Sequence, residues 1–281
     1  MVGVGAAATT FAGRDQTGGL LESLRAVRAR AGLVLLLFAL AGLAWWSTVR
    51  SMAGMDAGPG TDLGALGWFV GVWVVMMAAM MFPSVAPTVA LYARMTSRRG
   101  PVRPLLFAAA YLLVWGSAGV VAYALFDAGR SWFGGALAWG SGGRWLAGGI
   151  IAVAAVYELT PWKDACLGRC RSPLGFLLGC WRDGRAGAMA MGARHALWCV
   201  GCCWALMAAL FALGVMSLTW MAVVAGIIAA EKTLPWRRVV VWGTTAALLA
   251  FAVTLMVVPH SLPGLVVPDN GGGNMTMGTM R

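Results

Sequence analysis

His195, Cys199, Cys202 and Cys203 bring one imidazole and three thiols into nine residues, at the start of an apolar run from Ala196 to Ala230. At about 100° per residue, a helix sets His195, Cys199 and Cys202 within a narrow arc of one face, with Cys203 at its edge. Metal coordination asks for such an arrangement, with donors at i, i+3 and i+4 converging at about 2.0 to 2.3 Å from an ion. One helix cannot surround an ion, so the remaining donors must come from elsewhere. Cys166, Cys170 and Cys180 precede the same helix, and all six cysteines of the chain lie between positions 166 and 203. A single buried thiol is most often a packing residue. Six of them gathered beside a histidine point instead to a metal site.

The methionines bear on which metal. Met76 and Met80 lie four apart on one helix face, and Met77 and Met81 lie four apart on the adjacent one. Thioethers joined to thiolates select soft ions, with Cu(I) favoured over zinc, whereas cysteine and histidine alone would suit zinc. Met207 follows Cys203 by four residues, close to it on the helix surface, and extends the same donor path. Pro83 and Pro87 come directly after the methionines and free backbone carbonyls within an apolar helix. The competing role for each of these methionines is that of a flexible core filler.

Two carboxylates, Glu158 and Glu231, fall at the edges of apolar runs, where an unpaired charge costs several kcal/mol. Lys163 or Lys232 is positioned to neutralise them. Other chemistries find no support. The sequence has no phosphate-binding glycine loop, no arguable Ser-His-Asp set, and only two histidines, His195 and His260, which is few for haem between helices. These absences point away from an enzyme.

The residues that must hold these donors are overwhelmingly apolar: 60% hydrophobic and 11% charged, with a mean hydropathy of +0.78. A soluble domain of this length is excluded, and the fold class is an all-α integral membrane protein. A bundle of about seven transmembrane helices is expected, near 33–49, 67–92, 105–126, 145–161, 196–214, 217–231 and 239–258. The sixth is the weakest, because the run from Ala196 to Ala230 exceeds one span and barely makes two around a break at Gly214–Ser217. Lys and Arg cluster in alternate connections: Arg25 to Arg30, Arg94 to Arg103, Lys163 to Arg194, and Lys232 to Arg238. This asymmetry predicts a bacterial inner membrane protein with a cytoplasmic amino end and a periplasmic carboxyl end. The net charge of +11 then reports topology, and nucleic acid is not a partner. Residues 1–32 read as a disordered cytosolic basic tail, 33–258 as the membrane domain with a cytoplasmic cysteine-containing loop at 162–195, and 259–281 as a periplasmic Gly/Met-rich tail. Trp68, Trp73, Trp115, Trp132, Trp139, Trp145, Trp198 and Trp242 mostly sit toward span ends and suit an aromatic belt.

On this topology the cysteines face a reducing compartment and stay free, so metal binding fits better than structural disulfides. Arg169, Arg171, Arg182, Arg185 and Arg194 surround them; positive charge favours thiolate, although the same arginines also satisfy the positive-inside bias.

The motifs together resemble a bacterial family described as predicted metal-binding integral membrane proteins. The resemblance rests on Thr160-Pro161-Trp162-Lys163, Cys166-Leu167-Gly168-Arg169-Cys170-Arg171-Ser172-Pro173, His195 through Cys199, Gly201-Cys202-Cys203-Trp204, Glu231-Lys232 and the run Met76 to Pro83. It covers roughly positions 67 to 240. Glu158, where the family usually has an amide, and Ala196, where glycine is usual, depart from the pattern. The resemblance implies a helical membrane protein with a metal site. The expected function is handling of a soft metal ion, by transport or by delivery to a client metalloprotein or metallochaperone. A membrane thiol-disulfide oxidoreductase and an assembly factor with a structural zinc site are the alternatives.

Overall fold

The computed structural model describes residues 31–52, 63–133, 142–214 and 217–258. They form α1 (Ala31–Met52), α2 (Leu66–Met95), α3 (Val102–Phe133), α4 (Arg144–Glu158), α5 (Pro161–Cys170), α6 (Pro173–Cys180), α7 (Gly184–Leu213), α8 (Leu218–Thr233) and α9 (Arg237–Val257). No strand occurs among the described residues. Helices α1, α2, α3, α7 and α9 are each long and apolar enough to cross a membrane, and α4 with α5, bent by 69°, makes a sixth span if that pair is counted as one. The protein is an all-helical, multi-pass membrane protein with five or six such spans. The predicted segment 217–231 is helical as α8, but its 16 residues reach only about 24 Å, less than the roughly 30 Å hydrocarbon core.

The segment 162–195, read from the sequence as a loop, is mostly helix. Thr160 caps α5 by accepting the Lys163 N–H, with Pro161 at the first helical position. Pro173 likewise stands at the first position of α6, although the preceding Ser172 makes no side-chain cap. Helix α7 begins at Gly184, well before the apolar run that announces it. Hydropathy missed this first part because Arg185 and Arg194 interrupt the apolar pattern, yet Ala186, Ala188, Met189, Ala190, Met191 and Ala193 favour helix.

Helix α7 is the axis of the bundle, packing against α3, α4, α5, α6 and α8, while α9 packs chiefly on α4. A side chain on Gly192 would fall on the backbone of Phe107, so α3 and α7 approach main chain to main chain at that point. Two tryptophans expected in the interfacial belt are instead core residues. Trp73 and Trp115 are buried, and the Trp73 indole donates to the Trp115 carbonyl at 2.8 Å. Trp68, Trp132, Trp145 and Trp242 are exposed, Trp198 is half-buried, and Trp139 lies outside the described residues. On helices apolar all round, sequence pattern does not separate the lipid side from the core.

Among the described residues, the basic connections after α2, between α4 and α7, and after α8 contact one another. Arg99, after α2, pairs with Asp183, before α7, and its guanidinium holds the Asp183 carboxyl below the usual carboxylate range by hydrogen bonding. Arg237 pairs with Asp164 at 2.7 Å. Arg171 donates to the Glu231 carbonyl and, at 2.5 Å, to the Leu234 carbonyl, satisfying the free C-terminal end of α8. The predicted tails, 1–32 and 259–281, fall outside the described residues, apart from Ala31 and Gly32, which start α1.

Candidate metal centre

The α7 periodicity sets Cys199, Cys202 and Cys203 on one buried face, and their sulfurs lie within 4.8 Å of one another. Cys202 Sγ stands 3.3 Å from Cys203 Sγ. That is far beyond the roughly 2.05 Å of a disulfide, and all six cysteines are free. Two further sulfurs reach this group from other helices. Cys170, the last residue of α5, places Sγ 3.9 Å from Cys202 Sγ, and Met81 of α2 places Sδ 3.9 Å from Cys199 Sγ. Five sulfurs from three helices thus converge in the interior. Ligands at about 2.3 Å from one ion lie no more than about 4.6 Å apart, and the three nearest contacts, Cys202–Cys203 at 3.3 Å, Cys170–Cys202 at 3.9 Å and Met81–Cys199 at 3.9 Å, fall inside that limit.

Helix α5 is docked so that Cys170 reaches the centre. Arg169 stacks over the Trp198 ring at 4.0 Å. Gly201 leaves room for the neighbouring cysteine, since a Cβ there would stand 2.9 Å from Cys166 Sγ. Tyr157 donates its hydroxyl to the Gly201 carbonyl at 2.6 Å, holding the end of α4 against the same turn of α7. Helix α2 continues through Pro83 and Pro87, and Ser84 donates to the Met81 carbonyl at 2.8 Å.

Cys199 has the densest surroundings. Its sulfur is 3.0 Å from the Tyr111 hydroxyl and 3.0 Å from Lys232 Nζ. The same ammonium lies 3.8 Å from Met81 Sδ and 3.3 Å from Ser84 Oγ. A thiolate at Cys199 therefore has a counter-charge within hydrogen-bond distance. Lys232 does not pair with the carboxylates, as the sequence reading allowed; Lys163 does, bonding Glu158 and, at 2.8 Å, Glu231. Consecutive residues on α8 point about 100° apart, which sends Glu231 and Lys232 to different neighbours.

His195 lies one turn before Cys199 and is buried, but its ring rests among aromatics: Phe176 edge-on at 4.8 Å, Phe107 at 6.0 Å and Tyr111 at 6.1 Å. Its Nδ1 has no hydrogen-bond partner among the described residues, and the mutually close group comprises the three cysteines without it. Cys166 and Cys180 are half-buried outside that group. Met76, Met77 and Met80 are buried in the same core, as is Met207 farther along α7. Tyr111 and Ser84 were not anticipated. Nothing in the spacing of a hydroxyl within an apolar run marks it as a neighbour of sulfur.

The donor chemistry is thiol and thioether throughout, which suits a soft metal ion as cargo. With the apolar helices around it, this arrangement fits a membrane metal-handling protein. No curated protein and no solved structure matches the chain. Residues 70–255 match a family described as PpoB2, copper chaperone. Because that match spans well over half of the sequence, the chain belongs to the PpoB2 copper chaperone family.

Proposed function

We propose that the protein holds Cu(I) as cargo between Met81, Cys170, Cys199, Cys202 and Cys203 and delivers it to a client metalloprotein. The observation that carries this reading is the convergence of five sulfurs from α2, α5 and α7 in a buried site with Lys232 beside them. Thiolates are strong ligands for a soft monovalent ion, and burial keeps water and oxidants away. Several thiolates around one Cu(I) leave net negative charge, which the Lys232 ammonium offsets. Delivery proceeds by stepwise exchange, with an incoming cysteine, methionine or histidine of the client replacing one sulfur at a time. Zinc draws less support, because a thioether is a poor partner for it.

The proposed setting is a bacterial inner membrane crossed seven times, with α4 and α8 as the shortest crossings, the amino end cytoplasmic and the carboxyl end periplasmic. The excess of Lys and Arg in alternate connections supports that orientation, and the contact of basic connections with one another is consistent with it. The sulfur centre then opens toward the cytoplasmic side, where thiols remain reduced.

Copper analysis of the full chain, purified under reducing conditions after growth with copper, tests the reading. One Cu(I) per chain is expected, with loss of most of it in a Cys199→Ser, Cys202→Ser variant that keeps its helical content. An equal and near-zero load in both would remove the proposal.

A further inference from the structure

A second buried polar cluster stands apart from the sulfurs. Glu158 at the end of α4, Lys163 on α5 and Glu231 on α8 are 4%, 1% and 1% exposed. Lys163 Nζ bonds Oε2 of both carboxyl groups. The second oxygen of each, Oε1, is buried without a hydrogen-bond partner among the described residues.

The charges around this cluster do not balance. Arg171 directs its guanidinium to the backbone carbonyls of Glu231 and Leu234. Lys232 faces Cys199 and Met81. Arg237 pairs with Asp164 at the more exposed rim of α5 and α9. The Tyr157 hydroxyl is committed to the Gly201 carbonyl, with Cys166 nearby on α5. One ammonium therefore serves two carboxyl groups in a low-dielectric interior. Two carboxylates bonded to one ammonium resist simultaneous ionisation, and a buried net charge in a membrane protein is costly. A single proton resolves both problems: the triad becomes neutral, and an O–H donor is created for an oxygen that otherwise has none.

We propose that Glu158 and Glu231 form a one-proton binding site, closed by Lys163, that exchanges its proton with water beside the basic connections. The ligand is H⁺ alone, bound to a carboxylate oxygen and released from it without redox chemistry. Its place in the fold gives it reach. Glu231 is bonded to Lys232 along the chain, and Glu158 stands at the 69° bend between α4 and α5. A change in proton occupancy bears on the two elements that deliver Lys232 and Cys170 to the sulfurs.

Infrared spectroscopy of the full chain in lipid bilayers, in H₂O and D₂O, tests this. At neutral pH the wild type should show a protonated-carboxyl C=O band that shifts in D₂O. Glu158→Gln and Glu231→Gln should each abolish it, because the remaining carboxylate then pairs one-to-one with Lys163. Absence of the band in the wild type, or its persistence in either variant, would overturn the proposal. Should a variant fail to fold, pH titration of the wild-type band decides: loss in a single one-proton step supports the site, and no loss or a two-proton step refutes it.

Discussion

The sulfur of Cys170, the final residue of α5, stands 3.9 Å from that of Cys202 on α7. A short helix packed across the midpoint of a long one thus brings to the cysteine cluster a thiol that α7 could not supply itself. Cys180, ten residues farther along the chain, is half-buried and outside the cluster. Cys170→Ser should weaken Cu(I) binding by about tenfold or more, each tenfold being about 1.4 kcal/mol. Cys180→Ser should leave it unchanged. Competition against a chromophoric Cu(I) chelator measures both.

Lys232 Nζ sits 3.0 Å from Cys199 Sγ. If it offsets the negative charge of a copper-thiolate centre, Lys232→Met should lower Cu(I) affinity by about tenfold, and Lys232→Arg should recover part of the loss. Unchanged or tighter binding in Lys232→Met, by the same competition assay, would contradict that role.

The membrane-protein class and the main thiol cluster were legible in the sequence because both follow from simple regularities. Apolar runs identify helices that can enter a bilayer, and i, i+3, i+4 spacing places Cys199, Cys202 and Cys203 on one face whatever surrounds them. The rest depended on contacts between elements. That Cys170 meets Cys202 follows from the bend after Glu158 and the docking of Arg169 on Trp198, neither of which spacing encodes. Likewise, nothing local distinguishes Lys163 from Lys232 as the partner of Glu231. Arg185 and Arg194 concealed the first turns of α7, since hydropathy reports compatibility with lipid rather than helix formation. Trp73 and Trp115 are core residues that sequence cannot tell from belt residues, because an all-apolar helix gives no sign of which face is inward.

A Cβ at Gly192 would collide with the backbone of Phe107, which cannot move without shifting α3. Gly192→Ala should destabilise the fold by about 1–3 kcal/mol. Gly226, on the exposed side of α8 with nothing within 4 Å of such a Cβ, provides the contrast. Gly226→Ala should be neutral or stabilising by up to about 1 kcal/mol. Thermal unfolding in detergent, followed by circular dichroism, separates the two outcomes.

The His195 ring packs among Phe107, Tyr111 and Phe176 rather than within the group of close sulfurs. His195→Phe should accordingly preserve both folding and the copper content per chain. A fall to the level of the Cys199→Ser, Cys202→Ser variant, measured by metal analysis, would instead make the imidazole a ligand.

X-ray absorption at the copper edge of the Cu(I)-loaded full chain tests the central claim most directly. A centre built from Met81, Cys170, Cys199, Cys202 and Cys203 predicts a first shell of sulfur alone, with fewer sulfurs per copper after Cys170→Ser. A shell dominated by nitrogen or oxygen, or one unaltered by that substitution, would contradict it.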